Sequence, residues 1–201
     1  MNVSRRSLFA VAGSFAAASL LKPLPSVAEQ VSLSPALLRR SIDALNLHAA
    51  AIPNRDVIAI ADFSLPSRIP RFHLFDVANA RVLGSYLVAH GRGSDPGHTG
   101  WLQRFSNVPS SNATSAGAYR TDGFYVGEHG RSIRLTGLDS TNNNALDRAI
   151  VVHAAWYVSP EMARTHGVLG RSEGCFALSD KDLPEVLAGI GAGHMIYADK
   201  I

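Results

Sequence analysis

One cysteine, Cys175, stands among the 201 residues, within the run Gly170-Arg171-Ser172-Glu173-Gly174-Cys175. Acyl transfer by a thiol needs a thiolate, a base to hold its proton and amide donors for an oxyanion. A free thiol has a pKa of about 8.5, so a neighbouring imidazole is the usual activator. His153, 22 positions upstream, closes the run Arg148-Ala149-Ile150-Val151-Val152-His153. That β-branched stretch reads as a buried strand and gives a base a rigid seat. The two side chains are expected within hydrogen-bond reach of each other, with the long contact that sulfur allows. Gly174 lets the backbone approach a ligand closely, and Arg171 offers a two-pronged donor for a carboxylate. Each residue alone has an ordinary structural reading: a core histidine, a solvated arginine, a turn glycine, a small buried thiol. Their grouping points to chemistry.

The elements around them must hold that grouping. Residues 34–48 carry Leu37, Leu38, Ile42 and Leu45 at helical spacing, with Ser34-Pro35 as a helix start. Residues 57–63 form a compact apolar run, and residues 71–77 and 81–89 form two strands about a turn at 78–80. Residues 118–126 and 131–138 predict a second hairpin, 148–153 a central strand and 194–198 a final one. Ser159-Pro160 opens a short helix with Ser159 as cap, and a further helix is expected from Ser179 to residue 189. Residues 91–117 are dense in Gly, Ser and Asn and contain Trp101 and Phe105. Loops of that length in a compact domain are uncommon and usually functional, so this one reads as an ordered wall over a cleft. The fold class is mainly β with peripheral helices.

Charge and hydropathy divide the chain once. Lys and Arg number 19 against 16 Asp and Glu. Arg5, Arg6 and Lys22 carry the whole excess within an acid-free residues 1–28, so the remainder is formally balanced. A nucleic-acid binder keeps a basic footprint on its folded domain, and this chain does not. Residues 8–21 are uncharged but too short to span the roughly 30 Å of a bilayer core. They follow Arg5-Arg6 and precede the small residues Ser26-Val27-Ala28, the pattern of an export signal resembling the twin-arginine type. The expected organisation is a leader over 1–28, a helical segment over 29–54 and a catalytic domain over 55–201. An exported protein with structural disulfides wants an even number of cysteines, so a lone one calls for another explanation.

His153 followed by Ser172-Glu173-Gly174-Cys175 resembles the active-site signature of the murein L,D-transpeptidase catalytic-domain family, in a divergent branch. The likeness extends through residues 91–94, 105–107, 117–121, 134–138 and 142–144, and covers roughly 55–200. It implies a β-sandwich-like domain that acts on peptidoglycan stem peptides without a cofactor. Cys175 would be nucleophile and His153 base, the Gly174 and Cys175 amides would face the oxyanion, and the Ala154 carbonyl would orient the imidazole. Arg171, Ser172, Tyr119 and Trp101 form the expected substrate-binding set. Glu173 replaces the family's usual His, and Phe176-Ala177-Leu178 follows the thiol where an Arg is usual. The resemblance leaves cross-linking and L,D-carboxypeptidase action both open. Two rivals come from other classes: a metal site at His90, Asp95 and His98, and a wall-binding module that does no chemistry. The chain lacks His-Glu-x-x-His and zinc-type Cys/His spacing, and a pure binder has no use for the Cys with its candidate base.

Overall fold

The computed structural model describes Met1 and residues 33–201. Beyond Met1, the leader and cleavage point expected over residues 1–28 lie outside the described residues. Among the described residues eight strands are present: β1 (Val57–Asp62), β2 (Phe72–Asp76), β3 (Arg81–Tyr86), β4 (Gly117–Gly127), β5 (Gly130–Gly137), β6 (Val151–Ala154), β7 (Phe176–Leu178) and β8 (Met195–Asp199). The helices are α1 (Pro35–Leu47), α2 (Pro160–His166) and α3 (Leu183–Gly189). The molecule is mostly β-sheet with three helices.

All eight strands belong to one sheet, ordered β3-β2-β1-β8-β4-β5-β6-β7. The β1–β8 and β6–β7 pairs are parallel and the others antiparallel. Beyond β3 the chain runs across to the other edge, where the Ala89 amide donates to the Ala177 carbonyl at 2.9 Å. The two ends of the sheet therefore meet, and the sheet curls around its apolar face. Phe72, Leu74, Tyr119, Ile133, Val152 and Phe176 fill that interior. On the opposite face, Leu37 and Leu45 of α1 pack with Ile58, Ile60, Phe75 and Met195. Through these contacts α1 packs as a layer against the sheet. Among the described residues, no helix is long and apolar enough to cross a membrane.

Local chemistry explains most element ends. Ser159 Oγ accepts from the Met162 amide at 3.0 Å, Pro160 takes the first helical position, and Gly167 ends α2 in the left-handed region. Three ends differ from the sequence expectation. The strand expected from 148 starts at Val151, because Ala149 is left-handed (φ 52) and Arg148 is drawn into the neighbouring loop. The strand expected to reach residue 89 stops at Tyr86, where the chain leaves β2 for its bridge to β7. The helix expected from Ser179 begins at Leu183, since the Ser179 hydroxyl instead caps a turn through the Asp182 amide, 3.0 Å away.

The 91–117 loop is ordered by a buried carboxylate. Asp95 accepts from the Thr99 amide (2.9 Å) and hydroxyl (3.0 Å), the Gly100 amide (2.8 Å) and Gln103 Nε2 (3.2 Å). Burial alone would raise its carboxyl, but these donors outweigh burial and hold it below the ordinary range. Behind it, Arg71 donates to His90 Nδ1 at 2.7 Å, and His90 Nε2 stands 3.5 Å from the Asp95 carboxylate. His98 Nε2 donates to the Leu169 carbonyl at 2.8 Å. The three residues weighed as metal ligands thus serve the packing of this loop.

Candidate active site

The β6–β7 ladder sets the strand that carries His153 beside the strand that follows Cys175. Val152 pairs with Phe176 and His153 with Ala177. Cys175 lies immediately before β7, two positions from Ala177, the partner of His153. The His153 Nδ1–H donates to the Ala154 carbonyl at 2.8 Å, which leaves Nε2 as the nitrogen able to accept a proton. The ring is 3% exposed. Burial lowers its pKa first, the Ala154 bond opposes this, and His129 lowers it further.

The thiol has a different partner from the one expected. Cys175 Sγ–H donates to the Ala149 carbonyl at 3.5 Å rather than to His153. The left-handed turn at Ala149 is what aims that carbonyl at the sulfur. Burial pushes the thiol up; the Val151 amide and the Arg148 guanidinium oppose this, while the Glu173 charge adds to it. Glu173 itself turns outward to an exposed ion pair with Arg92, 2.7 Å away.

The residues before the thiol form a bracket. Ser172 is buried; its hydroxyl donates to the Cys175 carbonyl at 2.7 Å and accepts from the Gly174 amide at 3.2 Å. The Gly174 amide is therefore already engaged, and Ser172 shapes the turn rather than facing a ligand. Gly174 has φ +122, and a Cβ there would lie 2.8 Å from the Ala113 carbonyl and 3.3 Å from Arg148 Nη2. Only glycine fits. Arg171 donates to the backbone carbonyls of Asp95 and Pro96, so its guanidinium ties the loop to the thiol segment instead of standing free.

The aromatic candidates separate. Tyr119 is fully buried, packs edge-on against Phe176 at 5.4 Å and donates its hydroxyl to the Ser115 carbonyl at 2.7 Å. It is a core residue, which corrects its assignment to substrate. Trp101 is 44% exposed on the loop, with no contact that brings it to the sulfur.

Three residues near the site escaped the sequence reading. Arg148 donates to the Ser106 carbonyl (2.8 Å), Ser115 Oγ (2.7 Å), Ser111 Oγ (3.2 Å) and the Ala113 carbonyl, and its charge reaches the sulfur. Its one signal was a cation heading an otherwise apolar strand. The Tyr157 hydroxyl is pushed up by burial and then by the Cys175 and Glu173 charges. His129 stacks on His153, with ring centroids 4.3 Å apart. Glu128, His129, Ala154, Trp156, Tyr157 and Asp180 line a cleft of about 440 Å³ here.

A family model for the L,D-transpeptidase catalytic domain matches residues 29–198. No curated protein matches the sequence. Among solved structures, an L,D-transpeptidase 3 from Mycobacterium tuberculosis is 16% identical with TM-score 0.45, covering 72% of this chain and 61% of that one. An L,D-transpeptidase from Xylanimonas cellulosilytica is 15% identical with TM-score 0.40, over 79% and 69%. The helical cell shape determining protein Pgp2 from Campylobacter jejuni is 12% identical with TM-score 0.49, over 74% and 48%. The chain spans 59% of the length of the LD transpeptidase LdtMt1 that it matches.

Proposed function

Because the chain belongs to the L,D-transpeptidase catalytic-domain family, we propose that it transfers acyl groups on peptidoglycan stem peptides through a Cys175 thioester. The observation that supports this reading is the β6–β7 register, in which His153, its tautomer fixed by the Ala154 carbonyl, pairs with Ala177, two positions beyond the one thiol of the chain. Cys175 leaves the Ala149 carbonyl and passes its proton to His153 Nε2. The sulfur attacks the carbonyl of the third stem residue, and the Cys175 amide faces the oxygen that gains charge. The tetrahedral adduct collapses, the C–N bond breaks, and the terminal D-amino acid leaves with the proton from His153. An incoming amine then reverses these proton movements and releases the thiol. Trp101 and the loop tied down by Arg171 form the substrate wall. Residues 1–28 export the protein to the compartment that holds its substrate.

Solved relatives include LdtMt1 in complex with imipenem and an L,D-transpeptidase 3 with a faropenem-derived adduct, which makes a carbapenem the natural probe. Intact-protein mass spectrometry should find one carbapenem adduct, located on Cys175. Cys175→Ser should show none, and His153→Ala should acylate about 10²–10⁴-fold more slowly. Equal rates for His153→Ala and wild type would remove His153 as the base. Absence of an adduct on the wild-type thiol at any pH would end the proposal.

A further inference from the structure

The tip of the β4–β5 hairpin makes a contact that the reaction above does not use. Its loop is only Glu128 and His129, between the paired Gly127 and Gly130. The His129 ring lies over His153 with the two planes 24° apart. Register explains the meeting: Ile133 and Arg134 pair with Val152 and Val151. Followed toward its start, β5 therefore runs alongside His153 and Ala154. The described ladder between β5 and β6 ends at Val152, so beyond it the tip meets β6 through the ring contact. The hairpin shaft uses its cations elsewhere, with Arg131 over Phe124 at 4.4 Å and Arg134 over Tyr125 at 4.1 Å.

We propose that His129 is a positioning residue for His153: its ring clamps the imidazole flat beneath the hairpin tip, in the orientation that gives Nδ1–H to the Ala154 carbonyl and keeps Nε2 for the thiol proton. The proposal rests on the reading of His153 as the base. A stacked imidazole cannot turn about its Cβ–Cγ bond without lifting the tip, so the Ala154 bond fixes the tautomer and the stack fixes the rotamer. Two stacked imidazoles also resist being charged together, which agrees with the direction in which His129 moves His153. The other titratable groups about the pair are Glu128 on the tip, Tyr157 after β6, Cys175 before β7 and Asp180 after it. Glu128 and Asp180 would favour a charged imidazole, so the neutral state of His153 depends on its burial under the tip.

The test compares His129→Ala with His129→Phe, which keeps ring cover without a charge. The readouts are the NMR titration of the His153 imidazole and the rate of carbapenem acylation of Cys175. His129→Ala should raise the His153 pKa and slow acylation about 10–100-fold, the usual cost of a loosened catalytic geometry. His129→Phe should recover most of the rate. Iodoacetamide alkylation at high pH needs no base and should match wild type in both variants. The clamp is overturned if His129→Ala leaves the His153 titration unmoved, or if His129→Phe fails to restore acylation. Should wild-type protein form no carbapenem adduct, the transpeptidase reading fails, while the His153 titration in His129→Ala still decides the clamp.

Discussion

Burial pushes the Cys175 thiol up and the His153 imidazole down, so each holds its neutral form at neutral pH. The thiol hydrogen is kept on the Ala149 carbonyl, not passed to the ring in advance. Proton transfer then accompanies attack instead of preceding it. The rate of iodoacetamide alkylation of Cys175 should accordingly rise about tenfold per pH unit through about pH 8, with no plateau near neutrality. A plateau below about pH 7 would reveal a preformed thiolate–imidazolium pair and overturn this account. His153 and Cys175 stand out in the sequence because one thiol and one strand-end imidazole carry unusual chemistry. Tyr119 was misread because an aromatic in an alternating strand looks the same whether it faces solvent or core.

Among the elements, the 91–117 loop is organised from within by the buried Asp95. Asp95 satisfies donors from Thr99, Gly100 and Gln103, and its own carbonyl receives Arg171 from the thiol segment. Replacing the carboxylate strands those donors and leaves His90 and Arg71 facing an apolar gap. Asp95→Ala should cost about 2–4 kcal/mol in urea unfolding, the scale for leaving buried donors to a charged acceptor unpaired. It should also open the loop to limited proteolysis near Trp101 in the folded state. A loss below about 1 kcal/mol would place Asp95 among ordinary surface substitutions and remove its organising role. The sequence showed Asp95-Pro96-Gly97 as a turn. That the aspartate faces inward depends on Arg71 and His90, which arrive from a different part of the chain.

At the scale of the whole molecule, buried histidines set the response to acid. Burial lowers His73, His153 and His90, the last to about 3, with Arg71 adding to the effect at His90. Unfolded, each takes up a proton near pH 6.5. Below that pH the unfolded state binds more protons than the folded one, so stability rises with pH there. Urea midpoints should therefore hold level from about pH 8 to 7 and fall steadily from about pH 6.5 toward pH 3. Asp95, held low when folded, adds a further loss only below the ordinary carboxylate range. Midpoints that rise on acidification from pH 7 to 5 would contradict the neutral assignment of these rings.

Local rules were enough for the strand and helix run, the Ser159 cap and the hairpin turns, because each depends on side chains within a few positions of one another. The lone thiol and the chain's balanced charge after residue 28 likewise follow from composition. Other features exist only once the sheet has curled. The Ala89–Ala177 closure, the withdrawal of Arg148 from β6 and the capture of Arg171 by loop carbonyls join residues distant in sequence. The His129–His153 stack is another, since register rather than composition sets what a two-residue turn will overhang. Spacing along the chain carries no information on such meetings; hydrogen-bond register and the packing of the two sheet faces decide them.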